Sequence, residues 1–205
     1  MTLLIVGLIL FLGTHSARIF AEDWRNALIA RVGLMPWKGI YSVLSLAGLV
    51  LIAYGYGDAR TAPIVLWSSG TGARHAASLL TLIAFVLLAA AYVPRNRIRA
   101  RLRHPMVLAV KTWALAHLIS NGTLADLLLF GGFLLWAVLS FRAARGRDRQ
   151  AAAMTAEAAG NGSTHTGAAA GSLAFDLGTI AAGLLAWWAF AFHLHARWIG
   201  VSPMG

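Results

Sequence analysis

Six stretches of this chain are apolar for about the length a bilayer requires: residues 2–20, 39–57, 75–94, 106–121, 123–141 and 173–194. A hydrocarbon core about 30 Å thick takes about 20 helical residues to cross. Lipid offers no partner to a backbone N–H or C=O, so each stretch has to close its own hydrogen bonds, and an α-helix does so within one segment. The fourth stretch is the shortest and spans only with its flanks or a tilt. With 59% hydrophobic and 12% charged residues, a soluble domain is excluded. The apolar residues come in unbroken blocks, not as stripes opposite a polar face. The expected fold is all-α: a polytopic integral membrane bundle of about six transmembrane helices. The first block has no basic stretch before it and no small-residue cleavage site, so it reads as a retained helix and not as a secretory signal. The chain has no cysteine, which removes disulfides, thiolate metal ligands and thiol catalysis.

The net charge of +10 is sorted by side. If the six helices alternate in direction, one face of the membrane receives Arg18, Arg25, Arg31 and Lys38, then Arg95, Arg97, Arg99, Arg101 and Arg103, then Arg142, Arg145, Arg147 and Arg149. The other receives Arg60, Arg74 and Arg197. Lys and Arg collect in cytoplasmic loops. The three basic loops are therefore expected in the cytoplasm, with both termini outside. The run RNRIRARLRH at 95–104 fits a topology signal that also attracts anionic lipid. An anionic ligand held by Arg103 and His104 is the sharper alternative. Nucleic acid is not expected as a partner; the lipid bilayer is.

Composition changes abruptly after residue 141. Residues 142–149 are basic, and GRDRQAAAMTAEAAGNGSTHTGAAAGS at 146–172 is rich in Ala, Gly, Ser and Thr without an apolar period, which reads as a flexible cytoplasmic linker. It divides a five-helix body, residues 1–141, from a sixth helix and short tail, residues 173–205, tethered loosely to it. His165 lies in the linker and is expected to be inert.

Chemistry then has to come from polar side chains inside the spans, which are costly in lipid and are functional candidates for that reason. His15 lies late in the first helix and Lys111 early in the fourth. His117 is late in the fourth helix, and Asp126 opens the fifth beyond a tight turn at Asn121-Gly122. Each has a plainer role available. Thr123-x-x-Asp126 is a capping box, and Lys111 can snorkel to the interface or pair with Asp176. His75 opens the third helix at an interface. His193 and His195, two residues apart, face opposite sides of a regular helix and make a weak metal pair. His15 and His117 differ in depth by roughly 9 Å if the helices stand upright. Two buried histidines on different helices can brace the bundle by hydrogen bonds, or can hold one metal or haem between them. The residues alone leave both open.

Three motifs, FLGTHSARIF at 11–20, LRHPM at 102–106 and WALAHLISNGTLADLLLF at 113–130, resemble in order and spacing the NnrU family of bacterial membrane proteins. The likeness covers about residues 1–141. It implies a part in denitrification and nitric oxide metabolism. The family is in turn similar to the 15-cis-zeta-carotene isomerase of plants and cyanobacteria, a membrane enzyme that uses haem b. That similarity implies haem b here, with His15 and His117 as the iron ligands; Asp126, at the depth of His117, is then expected to orient its imidazole, and Arg103 and His104 of the basic run to meet a propionate. The chain departs from the isomerase at Ala114, where the isomerase motif has cysteine, which puts carotenoid isomerisation in doubt. If the protein is an enzyme, the resemblance implies a haem-dependent isomerase or oxidoreductase. The contrasting expectation is a non-enzymatic assembly or maturation factor with nitrite or nitric oxide reductase components as partners. Arg103-His104-Pro105 also resembles the Arg-His-Pro signature of membrane methyltransferases that use S-adenosylmethionine. The Glu-Glu pair that follows it there is absent from FRAARGRDRQ at 141–150.

The charge asymmetry generates a test. Reporter fusions after residue 100 and within 150–165 should report cytoplasm, and a C-terminal fusion should report periplasm. A cytoplasmic C-terminus would mean that one of the six stretches does not span, and 106–121 would be the first suspect.

Overall fold

Backbone hydrogen bonding confined to single segments dictates the architecture. The structure, a computed structural model, describes residues 1–159 and 171–203, all of its regular structure helical. The elements are α1 (Thr2–Phe20), α2 (Glu22–Val32), α3 (Leu34–Ala59), α4 (Thr71–Tyr92), α5 (Arg97–Leu102), α6 (Pro105–Ser120), α7 (Leu124–Ala159), α8 (Leu173–Ala189) and α9 (His195–Ile199). A π-helical turn, Phe190–Leu194, joins α8 to α9. Five helices are long and apolar enough to cross a membrane, and α6 is a shorter apolar helix between two of them. This is a helical membrane bundle of about six spans. Large apolar side chains such as Ile9, Leu46, Leu135 and Leu185 are exposed around it, as befits a chain whose surrounding solvent is lipid.

The spans are ordered by what touches what. Helix α1 packs against α3 and α7, α6 packs against α7 and α4, and α8 packs against α4. Among the described residues the backbones of α1 and α6 do not approach each other; α7 stands between them. The contacts are made close by small residues, as in other membrane bundles where no hydrophobic drive separates helix from lipid. A side chain at Gly48 would collide with the Phe11 backbone, and one at Gly183 would meet Val86 Cα at 2.6 Å.

Polar contacts divide the bundle into two faces. At one end the N-terminal ammonium lies 3.6 Å from Asp58, Arg60 donates to the Ile199 carbonyl at 2.8 Å, and Leu66 and Trp67 N–H donate to the Gly122 carbonyl. At the other, Arg147 reaches the Arg18 carbonyl and Glu22, and Arg97 pairs with Asp176 at 3.5 Å. The three basic loops therefore share one face, and the N-terminus, the 60–70 loop and the end of α9 share the other. The short α2 lies beside α1 and α3, with Arg25 over the Trp37 ring.

Two expectations about the C-terminal third change. The basic segment after Phe141 is not a linker from its start: α7 continues through Ala159. Ala, Arg, Gln, Met and Glu are strong helix formers, and the helix already running out of the membrane needs no new nucleus to extend. Residues 160–170, including His165, lie outside the described residues. Nor is the last span loosely tethered. Thr179 and Gly183 of α8 are buried, and Trp187 Nε1 donates to Thr81 Oγ1 of α4 at 3.2 Å.

Gly183→Leu is expected to push α8 off α4, because the obstructing atoms are Val86 backbone, at a cost of roughly 1–3 kcal/mol. Gly178→Leu, where nothing lies within 4 Å, should leave stability unchanged. Thermal denaturation of the two variants in detergent compares them; equal melting temperatures would mean α8 is not docked there.

Candidate functional site

His117 is carried near the end of α6, where a polar side chain in lipid has few partners to choose from. Its Nδ1 lies 2.9 Å from the Trp113 carbonyl one turn back. A carbonyl only accepts, so Nδ1 carries the proton and Nε2 keeps its lone pair. The ring stacks on Phe130, centroids 4.5 Å apart, and is tilted against Trp113. Nε2 has no partner among the described residues. It was the Trp113 carbonyl and not Asp126, as the sequence had led us to expect, that orients this imidazole.

The ring lines a cavity of about 320 Å³. Helix α4 contributes Thr81, Ala84, Phe85 and Leu88, α6 contributes Ala109, Val110 and Trp113 beside His117, and α7 contributes Phe133. The far wall is Trp187, Phe190, Ala191 and His195, with Pro203 of the tail. Helices α6 and α8 both lie on α4, and their backbones do not approach each other; the cavity occupies the gap. No lining residue is charged. Thr81 is engaged, donating to the Ser78 carbonyl and accepting from Trp187. His195 repeats the arrangement of His117: its Nδ1 lies 2.6 Å from the Val201 carbonyl, and Nε2 has no partner among the described residues.

The other residues singled out by the sequence fall elsewhere. His15 uses the same device, Nδ1 to the Phe11 carbonyl at 2.8 Å, and packs among Phe11, Tyr41 and Trp136. It faces α3 and α7 and does not line the cavity. Trp136 Nε1 beside it is buried without a partner among the described residues. Asp126 is buried and occupied. It accepts from the Tyr56 hydroxyl at 2.5 Å, the Thr123 amide at 2.9 Å and the Thr123 hydroxyl at 2.6 Å, and its own amide donates back to Thr123 Oγ1, closing the capping box. Lys111 makes no ion pair among the described residues, since Asp176 is taken by Arg97. His75 and His193 are exposed.

Arg103 and His104 lie at the basic face, about 13 residues or roughly 20 Å of helix from His117. His104 Nε2 donates to Asp148 at 3.0 Å, and Arg103 lies 3.7 Å from the same carboxylate. The hydrogen bond from His104 holds the Asp148 carboxyl below the usual carboxylate range, and Arg103 and Arg145 add to this. These groups clamp α6 to the α7 extension. The concavity nearby, lined by Phe141, Arg142, Arg145 and Arg149, does not include them.

The family model described as NnrU protein matches residues 3–203. The chain belongs to the NnrU family. The match runs past residue 141, where the likeness read from the motifs ends, through α8 and α9, so the helix that closes the cavity is part of the NnrU unit. No curated protein and no solved structure matches the chain. The residue that sequence reasoning undervalued is His195. The i, i+2 spacing does set His193 and His195 on different sides, His193 exposed and His195 at the cavity; the signal for His195 was its spacing of four from Ala191 and eight from Trp187, which puts the three on one helix face.

Removing the Asp126 carboxylate should be the most damaging change in the first turn of α7. Asp126→Ala strands the Tyr56 hydroxyl and two Thr123 donors, at roughly 1–3 kcal/mol for each buried group left unpaired. Tyr56→Phe removes only one of those bonds and strands no donor. Melting curves should rank wild type above Tyr56→Phe and Tyr56→Phe well above Asp126→Ala; the reverse order would remove Asp126 from its structural role.

Proposed function

We propose that this NnrU-family membrane protein binds haem b in the cavity between α6 and α8, with His117 as an iron ligand. In this reading it acts in nitrogen-oxide metabolism or in redox-coupled isomerisation of a lipophilic substrate. The observation that carries the proposal is the state of His117. Metal-bound histidines characteristically donate their second ring nitrogen to a carbonyl or carboxylate, which fixes the tautomer and raises ligand basicity. His117 is held that way by Trp113, with Nε2 at an apolar, aromatic-walled cavity. The donor set therefore fits. Haem bound there would supply an iron centre capable of one-electron transfer or of binding a small gas. The chain's own part is to fix the imidazole, keep water from it with Phe85, Phe133 and Trp187, and surround the macrocycle with apolar side chains. Since no lining residue is charged, the carboxylate edge of the group belongs outside the cavity wall.

The bacterial cytoplasmic membrane, with both termini in the periplasm, is the location this reading takes from the charge asymmetry. The alternative, a non-enzymatic assembly factor for nitrite or nitric oxide reductase, draws on a different feature: α7 continues through Ala159, well beyond its apolar part, and offers a partner a helix outside the lipid. The two readings separate on colour. Protein purified in detergent from haem-replete cells is expected to show a Soret band, with split α and β bands on reduction. A colourless protein that also takes up no added haem would remove the haem reading and leave the assembly factor.

A further inference from the structure

We infer that His195, and not His15, is the second ligand-facing imidazole of this cavity, and that it binds the same metal centre as His117 from the opposite wall. The inference rests on the haem reading above and goes beyond it, since neither the motifs nor the resemblance assigns His195 any role.

Three observations carry it. His117 and His195 line one cavity, from α6 on one side and from the start of α9 on the other. Both imidazoles have Nδ1 committed to a backbone carbonyl, Trp113 for one and Val201 for the other, so both present Nε2 as a lone pair and neither can donate from it. The third observation is backbone: the five residues immediately before His195, Phe190–Leu194, form the π turn. A π bulge is a rare, less stable insertion that is found frequently at functional sites. Trp187, Ala191 and His195, four residues apart along this stretch, lie on the cavity side together with Phe190, while His193 turns outward against Trp188.

The same wall specifies what can sit between the imidazoles. A bare divalent cation held by two neutral nitrogens would keep its full charge in an uncharged, apolar space, at a prohibitive desolvation cost. A metal already neutralised by a dianionic, planar macrocycle meets no such cost, and Trp113, Phe133, Phe85 and Trp187 supply aromatic surface to cover it. His15 cannot substitute: α7 separates its helix from α6, and its ring packs among Phe11, Tyr41 and Trp136.

The test uses full-length protein in detergent, titrated with hemin and followed by absorption and electron paramagnetic resonance. Wild type is expected to give a six-coordinate low-spin spectrum. His195→Ala should retain haem but shift it to high spin, and added imidazole should restore the low-spin signal, a rescue that a merely structural histidine would not show. His117→Ala should lose the low-spin signal, whereas His193→Ala and His15→Ala should resemble wild type. If His15→Ala turns high-spin while His195→Ala stays low-spin, this inference is overturned and the haem reading survives. If wild type binds no hemin, the haem reading itself fails and this inference goes with it.

Discussion

The structure depends on one constraint: inside lipid, a polar atom that finds no partner in the protein finds none at all. The spans meet it by bonding side chains backward along their own helices. Thr14 donates to the Leu10 carbonyl, His15 to Phe11, His117 to Trp113, Ser120 to Ala116 and Thr179 to Phe175, each four residues back. For a hydroxyl this bond uses the only donor and closes the account. An imidazole has a second nitrogen on the far side of its ring. The device that makes a histidine tolerable in the membrane therefore also fixes its tautomer and aims a lone pair away from its own helix, toward whatever lies next to it. For His117 that neighbour is a cavity; for His15 it is an aromatic cluster.

Ions obey the same constraint by leaving. The charged pairs of the described residues gather at the two faces: the N-terminal ammonium with Asp58 at one, and Arg97 with Asp176 and Arg147 with Glu22 at the other, where His104 also donates a hydrogen bond to Asp148. Each ties elements distant in the chain, α5 to α8, α7 to α2, α6 to α7. Exposed pairs of this kind contribute little singly. Their consequence is positional: once the ends are tied, the depth of everything between them is set by helix rise alone.

The apolar blocks, the capping box at Thr123 and Asp126 and the existence of a tight turn at Asn121-Gly122 were all legible in the sequence because each is written in a few adjacent residues. Depth could also be read, since a helix of known rise converts residue number into height. Rotation could not. Which face of α1 meets α7, and so whether His15 reaches His117, depends on contacts of Gly48 with Phe11 and of Gly132 with Leu12 that no periodicity announces in helices apolar on every side. The α7 extension is not legible because residues 142–159 have no apolar period of their own; they are helical because a helix already running into them needs no new nucleus. Lys111 was given Asp176 as a partner on depth alone; Arg97 holds that carboxylate because α5 touches α8.

Depth also explains why the outer end of the bundle is so heavily covered. Helix α6 is short, and His117 is only three residues from its last, Ser120, roughly 4.5 Å of rise. An imidazole so near the surface would ordinarily be wet. The loop between α3 and α4 prevents this: Leu66 and Trp67 bond the Gly122 carbonyl, and Ser69 donates to the Ile119 carbonyl at 2.9 Å. Gly122 is the residue that permits it, because any side chain there would strike the Trp67 carbonyl. On the other flank the π turn, α9 and Pro203 close over the cavity, anchored by Arg60 on the Ile199 carbonyl. Water is the strongest competitor for an imidazole lone pair near an interface. Covering the end of α6 with one loop and the tail shields the imidazole from that competitor while leaving the gap between α6 and α8 apolar.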